Sequence, residues 1–141
     1  MPSIKQAINA AIKQEEYSYK LYMSMQKQVV FASAKQLLRR LAKEELLHKK
    51  ALKTLDPKKL ELKPKKRLYV AKSIAWAPIT ELGGIRSILR FAIHKEEQAY
   101  QRYRKFAQTF SSKKINILFT KLAEQEKNHK RLLTAEYKKA F

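Results

Sequence analysis

Residues 41–48 read Leu-Ala-Lys-Glu-Glu-Leu-Leu-His, and residues 122–129 read Leu-Ala-Glu-Gln-Glu-Lys-Asn-His. Both contain Glu-x-x-His, with Glu45 and His48 in one and Glu126 and His129 in the other. Residues three apart share one face of a helix, so each motif sets a carboxylate beside an imidazole. One such motif is a weak signal. Here two of them use two of only three histidines. Each follows another glutamate by 30 residues, Glu15 before Glu45 and Glu96 before Glu126. Shifted by 81 residues, as from His48 to His129, the halves align with no gap. Ala11-Ile12 falls on Ala92-Ile93, Glu15-Glu16 on Glu96-Glu97, Tyr19 and Tyr22 on Tyr100 and Tyr103, and Leu41-Ala42 on Leu122-Ala123. The shared positions are mostly apolar or acidic, so the repeat preserves more than hydrophobicity. It reads as two copies of one helical hairpin.

Apolar residues at helical spacing extend these motifs into four helices. The first spans 3–29, opened by a Ser3/Gln6 capping box, with Ile8, Ala11, Ile12, Glu15, Tyr19, Tyr22, Met25 and Val29 on one face. Ser33 with Gln36 opens the second, whose seam is Leu37, Leu41, Glu45, His48 and Leu52; Asp56-Pro57 ends it after Leu55. Residues 56–84 hold Pro57, Pro64, Pro78, a Lys-rich run and Gly83-Gly84, and form a long crossover. Within it Leu68 to Trp76 reads equally as a short helix or a strand. The third helix begins at Ile85, or nearer Thr80, and runs to Phe110 along Ile88, Ala92, Glu96, Ala99, Tyr103 and Phe106. After a turn at Ser111-Ser112 the fourth runs to near Tyr137 along Ile115, Leu118, Leu122, Glu126, His129 and Leu133. The expected architecture is all-α, one domain over 1–141: a four-helix bundle of two hairpins, about 3–55 and 85–137, joined by the crossover 56–84.

Composition agrees. The 141 residues include 2 Gly and 4 Pro, so turns are few and elements long. The absence of Cys excludes disulfides, thiolate metal sites and a Cys-ligated iron module within this sequence. The longest apolar runs, such as Val29 to Ala32, are too short to cross a bilayer, and Met-Pro-Ser-Ile-Lys-Gln at the start lacks the apolar core of a signal peptide. No membrane association and a cytoplasmic location are expected. The 32 Lys+Arg against 12 Asp+Glu give a net charge of +20. That excess serves either a solvated surface or non-specific attraction to nucleic acid. Eight of the twelve acids crowd into four clusters, at 15–16, 44–45, 96–97 and 124–126. Solubility alone would scatter so few.

Two residues on antiparallel helices lie level only if the turn falls near their midpoint. The turn signals at Ser33 and at Ser111-Ser112 sit close to the midpoints of the pairs Glu15/Glu45 and Glu96/Glu126. All six ligand candidates, Glu15, Glu45, His48, Glu96, Glu126 and His129, therefore meet at one level inside the apolar seams. Four carboxylates in a core repel one another and lose hydration. Two divalent cations offset that charge. Carboxylate with imidazole suits iron or manganese; zinc is an alternative that usually takes fewer ligands. One Glu from each of two helices and Glu-x-x-His from the other two is the ligand set of di-iron and di-manganese bundles. A metal-bound histidine needs an acceptor for its free ring N–H, and Glu44 and Gln125, each preceding a Glu-x-x-His glutamate, can accept from the opposite histidine. His94 reads as a surface residue. Glu16 and Glu97 read as surface acids, Glu16 paired with Lys20 and Glu97 with a nearby Arg.

Segments 11–22 and 41–48, with their counterparts at 92–103 and 122–129, resemble the ferritin-like superfamily, and most closely rubrerythrin-like proteins. The resemblance covers most of the chain outside the crossover. It implies an up-down-down-up bundle and redox chemistry of two iron ions with dioxygen or hydrogen peroxide, of ferroxidase or peroxide-reductase type. It also implies that Tyr22 and Tyr103 hydrogen-bond a ligand carboxylate across the bundle, as candidate catalytic residues. Two departures matter. No Cys-rich rubredoxin module is present, so electrons must come from another protein. The extra carboxylate that rubrerythrin carries one turn after the third-helix ligand is here Ala99, with Ser18 in the first half. The expected assembly is a homodimer, in which two similar hairpins can also be exchanged between chains. The rival reading is a non-catalytic metal-binding protein, or a basic nucleic-acid-associated protein with a structural di-metal site.

Overall fold

The computed structural model describes residues 4–29, 32–55, 85–110 and 112–140. They form four helices: α1 Ile4–Met25, α2 Ala32–Lys53, α3 Ile85–Thr109 and α4 Lys113–Ala140. The Ser3 cap, the crossover 56–84 with its segment 68–76, a start near Thr80 and Ser111 lie outside the described residues. α1 ends at Met25 rather than at Val29. There Lys27 N–H donates to Ser24 O at 3.1 Å and Gln28 N–H to Met25 O at 3.0 Å. Such bonds to the third residue back tighten and close a last turn. Ser33 falls inside the first turn of α2, which starts at Ala32, so it is not the residue that precedes the helix. Ser112 does cap α4: its Oγ accepts from Ile115 N–H at 3.4 Å and its carbonyl from Asn116 N–H at 2.9 Å. Lys50 and Lys53 end α2, and Lys138 and Lys139 end α4, where positive charge meets the negative end of the helix dipole.

Side-chain pairs give the directions. Glu16 meets Lys49 and Gln26 meets Arg39, so climbing α1 descends α2. Glu97 meets Lys130 and Arg90 meets Tyr137, so α3 and α4 are antiparallel too. Tyr22 reaches Glu96 while Tyr103 reaches Glu15, which makes α1 and α3 antiparallel. His48 meets Gln125 and Glu44 meets His129, which does the same for α2 and α4. Only an up-down-down-up order satisfies all four relations. The turns of the two hairpins therefore lie at opposite ends.

Two apolar clusters fill the bundle. Around the α3–α4 turn, Tyr103, Phe106, Phe110 and Phe119 pack with Ala7, Ile8, Ala11, Leu52, Ile115 and Leu122. Phe106 meets Phe119 edge to face with ring centres 5.1 Å apart, and Phe119 stacks on Tyr103 at 5.9 Å. Around the α1–α2 turn, Leu21, Met25, Leu38, Leu41, Ile88, Ala92 and Leu133 make a mainly aliphatic counterpart around Tyr22. The acids and histidines of the repeat lie between these clusters in sequence and in space. No helix among the described residues is long and apolar enough to cross a membrane.

Candidate metal centre

Glu15 and Glu96 project inward from α1 and α3, Glu45 with His48 from α2, and Glu126 with His129 from α4. All six are between 0% and 5% exposed, and no other acidic residue among the described residues is buried. The structure brings them into two overlapping groups, Glu15, Glu45, His48 and Glu126 in one and Glu45, Glu96, Glu126 and His129 in the other. Within each group one donor atom per residue lies within 4.8 Å of all the others. Glu45 and Glu126 belong to both. The imidazole rings face each other nearly parallel, at 9°, with centres 5.8 Å apart.

The outward nitrogen of each ring is committed. His129 Nε2 meets the Glu44 carboxylate, and His48 Nε2 meets Gln125 Oε1. A carboxylate only accepts, so Nε2 of His129 carries the proton and Nδ1 turns a lone pair inward. His129 Nδ1 lies 2.8 Å from Glu45 Oε1, and His48 Nδ1 lies 2.9 Å from Glu126 Oε1. Lone pair would face lone pair unless a proton or a cation sits between them. One atom from each of the six residues, Glu15 Oε2, Glu45 Oε1, His48 Nδ1, Glu96 Oε2, Glu126 Oε1 and His129 Nδ1, is buried without a hydrogen-bond partner. Buried polar atoms are rarely left so. These residues fit a pair of divalent cations: the orphaned atoms converge, are hard or borderline donors, and carry the charge that cations neutralise.

The same crowding shifts titration within the cluster. Burial, then the neighbouring carboxylates, pushes Glu45 and Glu126 well above the ordinary carboxylate range. Burial pushes Glu15 up as well, but hydrogen bonds with Glu45, His48 and Tyr103 outweigh it and leave it lowered. Burial alone would lower both histidines. The hydrogen bond to Glu44 and the nearby Glu96 carboxylate override it in His129, raising it to about 10, and Glu15 overrides it in His48. Glu44 is drawn down to about 2 by the His129 ring and by Arg40. Protons thus take the place that cations would fill.

Tyr22 O–H donates to Glu96 and Tyr103 O–H donates to Glu15 at 2.5 Å. Each tyrosine therefore crosses from one hairpin to hold the terminal carboxylate of the other. Burial and those carboxylates push both phenols well above their ordinary value, so they stay protonated donors.

Residues 87–141 match the family model for rubrerythrin. A hypothetical protein from Pyrococcus furiosus superposes with a TM-score of 0.77 at 24% identity, over 96% of this chain and 89% of that one. The fold is that of a ferritin-like four-helix bundle. No curated protein matches the sequence at a meaningful level. The rubrerythrin match covers the second hairpin of the ferritin-like bundle, and the first hairpin repeats the same glutamates and histidine.

The ferritin-like site has surroundings that spacing alone did not reveal. Glu16 pairs with Lys49 at 2.8 Å and Glu97 with Lys130 at 3.1 Å, across each hairpin rather than along one helix. Lys49 and Lys130 are repeat equivalents, so the repeat alignment held that signal. Lys95, beside Glu96, is 7% exposed and lies 5.9 Å from the centre of the Tyr17 ring. Burial and Arg102 lower it to about 7. His94 is exposed. A cleft of about 610 Å³ between α2 and α4 is lined by His48, Gln125 and Leu122 together with Arg40 and Lys121.

Proposed function

We propose that this ferritin-like protein holds two iron ions and oxidises Fe(II) with dioxygen or hydrogen peroxide, as a ferroxidase or a peroxide reductase. The observation that carries the proposal is the sharing of Glu45 and Glu126 between two four-residue groups. In this reading Glu45 and Glu126 would help to hold both ions, with Glu15 and His48 completing one position and Glu96 and His129 the other. Manganese is the closest alternative for the same donors. Bound iron supplies one electron per ion, and the two together with two protons reduce hydrogen peroxide to two waters. The remaining work belongs to the chain. Leu41, Leu122 and Ala92, each at most 2% exposed, keep bulk water away. Tyr22 and Tyr103 hold the terminal carboxylates in place. The cleft lined by His48 gives a small oxidant its approach. Re-reduction falls to an external electron-donor protein, since a Cys-free sequence offers no thiolate relay.

Ferrous iron titrated anaerobically should bind at two per chain, and Glu45→Ala or Glu126→Ala should lose at least one. Air or peroxide should then produce the near-ultraviolet absorbance of ferric protein. A wild-type stoichiometry of one or less overturns the two-ion reading. A di-ferrous protein unchanged for hours in both oxidants replaces the redox reading with an iron carrier or a structural site.

A further inference from the structure

Each candidate ligand and each tyrosine at the site has its twin in the other hairpin: Glu15 and Glu96, Tyr22 and Tyr103, Glu45 and Glu126, His48 and His129. The symmetry breaks one layer out. The ring of His129 meets a carboxylate, Glu44, and the ring of His48 meets a neutral carboxamide, Gln125. The flanking bases do not cancel this difference. Arg40 binds Glu44 at 3.1 Å, and its repeat equivalent, Lys121, lines the cleft beside Gln125. One basic residue therefore stands on each side, and only one side has the acid. Glu124 also lines that cleft but is exposed, where water and salt screen its charge.

A carboxylate that accepts the outer N–H of a ligating imidazole raises the basicity of the inner nitrogen, and an amide does so far less. The six ligands themselves are matched, but Lys95, buried beside Glu96, has Gln14 as its repeat equivalent and opposes a cation there, so exchanging the outer pair is what isolates that pair's share. We infer that Glu44 and Gln125 make the two metal positions unequal, so that the position built by Glu45, Glu96, Glu126 and His129 fills first. Glu44 and Gln125 are positioning residues: they act through the rings and do not touch the ion. The inference rests on the di-metal reading. It adds an order of loading and names the residues that set it. Outer partners of this kind typically change metal affinity about 10- to 100-fold, enough to separate two binding steps in a titration.

The test uses Mn(II), which is stable in air as a divalent ion. Crystals of the full chain with one equivalent of Mn(II) should show anomalous scattering beside His129 and little beside His48. Glu44→Gln should level the two peaks. The exchanged double variant, Glu44→Gln with Gln125→Glu, should move the single peak to His48. Calorimetric titration should show two steps in the wild type, one merged step in Glu44→Gln and two again in the exchange. Equal peaks in the wild type, or a peak that stays beside His129 after the exchange, overturns the inference while leaving the di-metal reading intact. Failure of wild type and variants alike to bind Mn(II) or Fe(II) overturns both. Both positions are partly open to solvent and the exchanges keep side-chain size, so folding is preserved, and helical circular dichroism checks it.

Discussion

Glu45 and Glu126 tie the two halves of the site together, and burial among like charges makes them hold their protons well above the ordinary carboxylate range. Both are raised well above the ordinary 4.5, and His129 is raised from 6.5 to about 10. The unfolded chain releases the same protons at ordinary values. From about pH 4.5 upward the metal-free fold therefore binds more protons than the unfolded chain, and its stability falls as pH rises through that window. Glu44, lowered to about 2, works in the opposite sense and stabilises the fold above 4.5. Melting of the metal-free protein should peak on the acid side of neutrality and decline toward pH 9. Loading with Mn(II) should release protons into a weakly buffered solution and raise the melting temperature more at pH 8 than at pH 5. A metal-induced shift of the same size at both pH values would contradict the proton-held site. Tyr22 and Tyr103 invite a separate measurement, because each holds a carboxylate that can bind metal without it. The double Phe variant should keep two ions per chain and oxidise Fe(II) at a changed rate. Loss of metal in that variant would mark the tyrosines as supports of the ligand cage.

At the scale of the helices, the repeat is faithful where it meets the site and loose where it meets only itself. Met25 and Leu38 in the first half correspond to Phe106 and Phe119 in the second, so one end of the bundle is mainly aliphatic and the other aromatic. Phe106 touches Tyr103, Phe110 and Phe119. Phe106→Ala should lower stability by about 3–5 kcal/mol, whereas Met25→Leu, nearly equal in volume, should cost less than about 1.5 kcal/mol; denaturant unfolding reads both. Much of this scale was legible beforehand. Doubled Glu-x-x-His with a Glu at constant spacing reduces the problem to one register, and a register error of one residue would have turned every ligand off the seam. The same regularity placed Glu44 and Gln125 next to the opposite histidines. Helix ends were less legible, because caps are local and competing. Ser33 had the chemistry of a cap, yet α2 begins at Ala32, before it, while Ser112 at the other turn does cap. The buried faces also shifted by a residue in places. Leu38 is buried where Leu37 was expected, and Leu21 is buried although Tyr19 was placed on the seam. A four-helix core accepts a stripe wider than a single row of positions, and spacing alone does not say which flank of the stripe goes deepest. The cross-hairpin pairs of Glu16 and Glu97 needed three-dimensional neighbours that a single-helix pattern does not contain.

For the whole molecule, each of the two candidate metal groups draws on both hairpins: Glu126 joins Glu15, Glu45 and His48, and Glu45 joins Glu96, Glu126 and His129. The proposed homodimer, in which either hairpin could come from a second chain, keeps this requirement and should give twice the chain mass of 16.6 kDa in light scattering. A monomer at high concentration removes it. The order of assembly follows from where the acids sit. Each hairpin pairs helices that are neighbours in sequence, α1 with α2 and α3 with α4, and local pairing is fast. Docking the hairpins is the step that drives four carboxylates into one apolar space. Until protons or cations arrive, those charges form an electrostatic gate on the docking rate. In stopped flow, helical signal should return early at every pH, while the near-ultraviolet tyrosine signal that reports docking should slow as pH rises without metal. Mn(II) added to the refolding buffer should restore the fast rate. A docking phase indifferent to both pH and Mn(II) would place the meeting of Glu45 and Glu126 after the barrier, so that the ions only lock a bundle already closed.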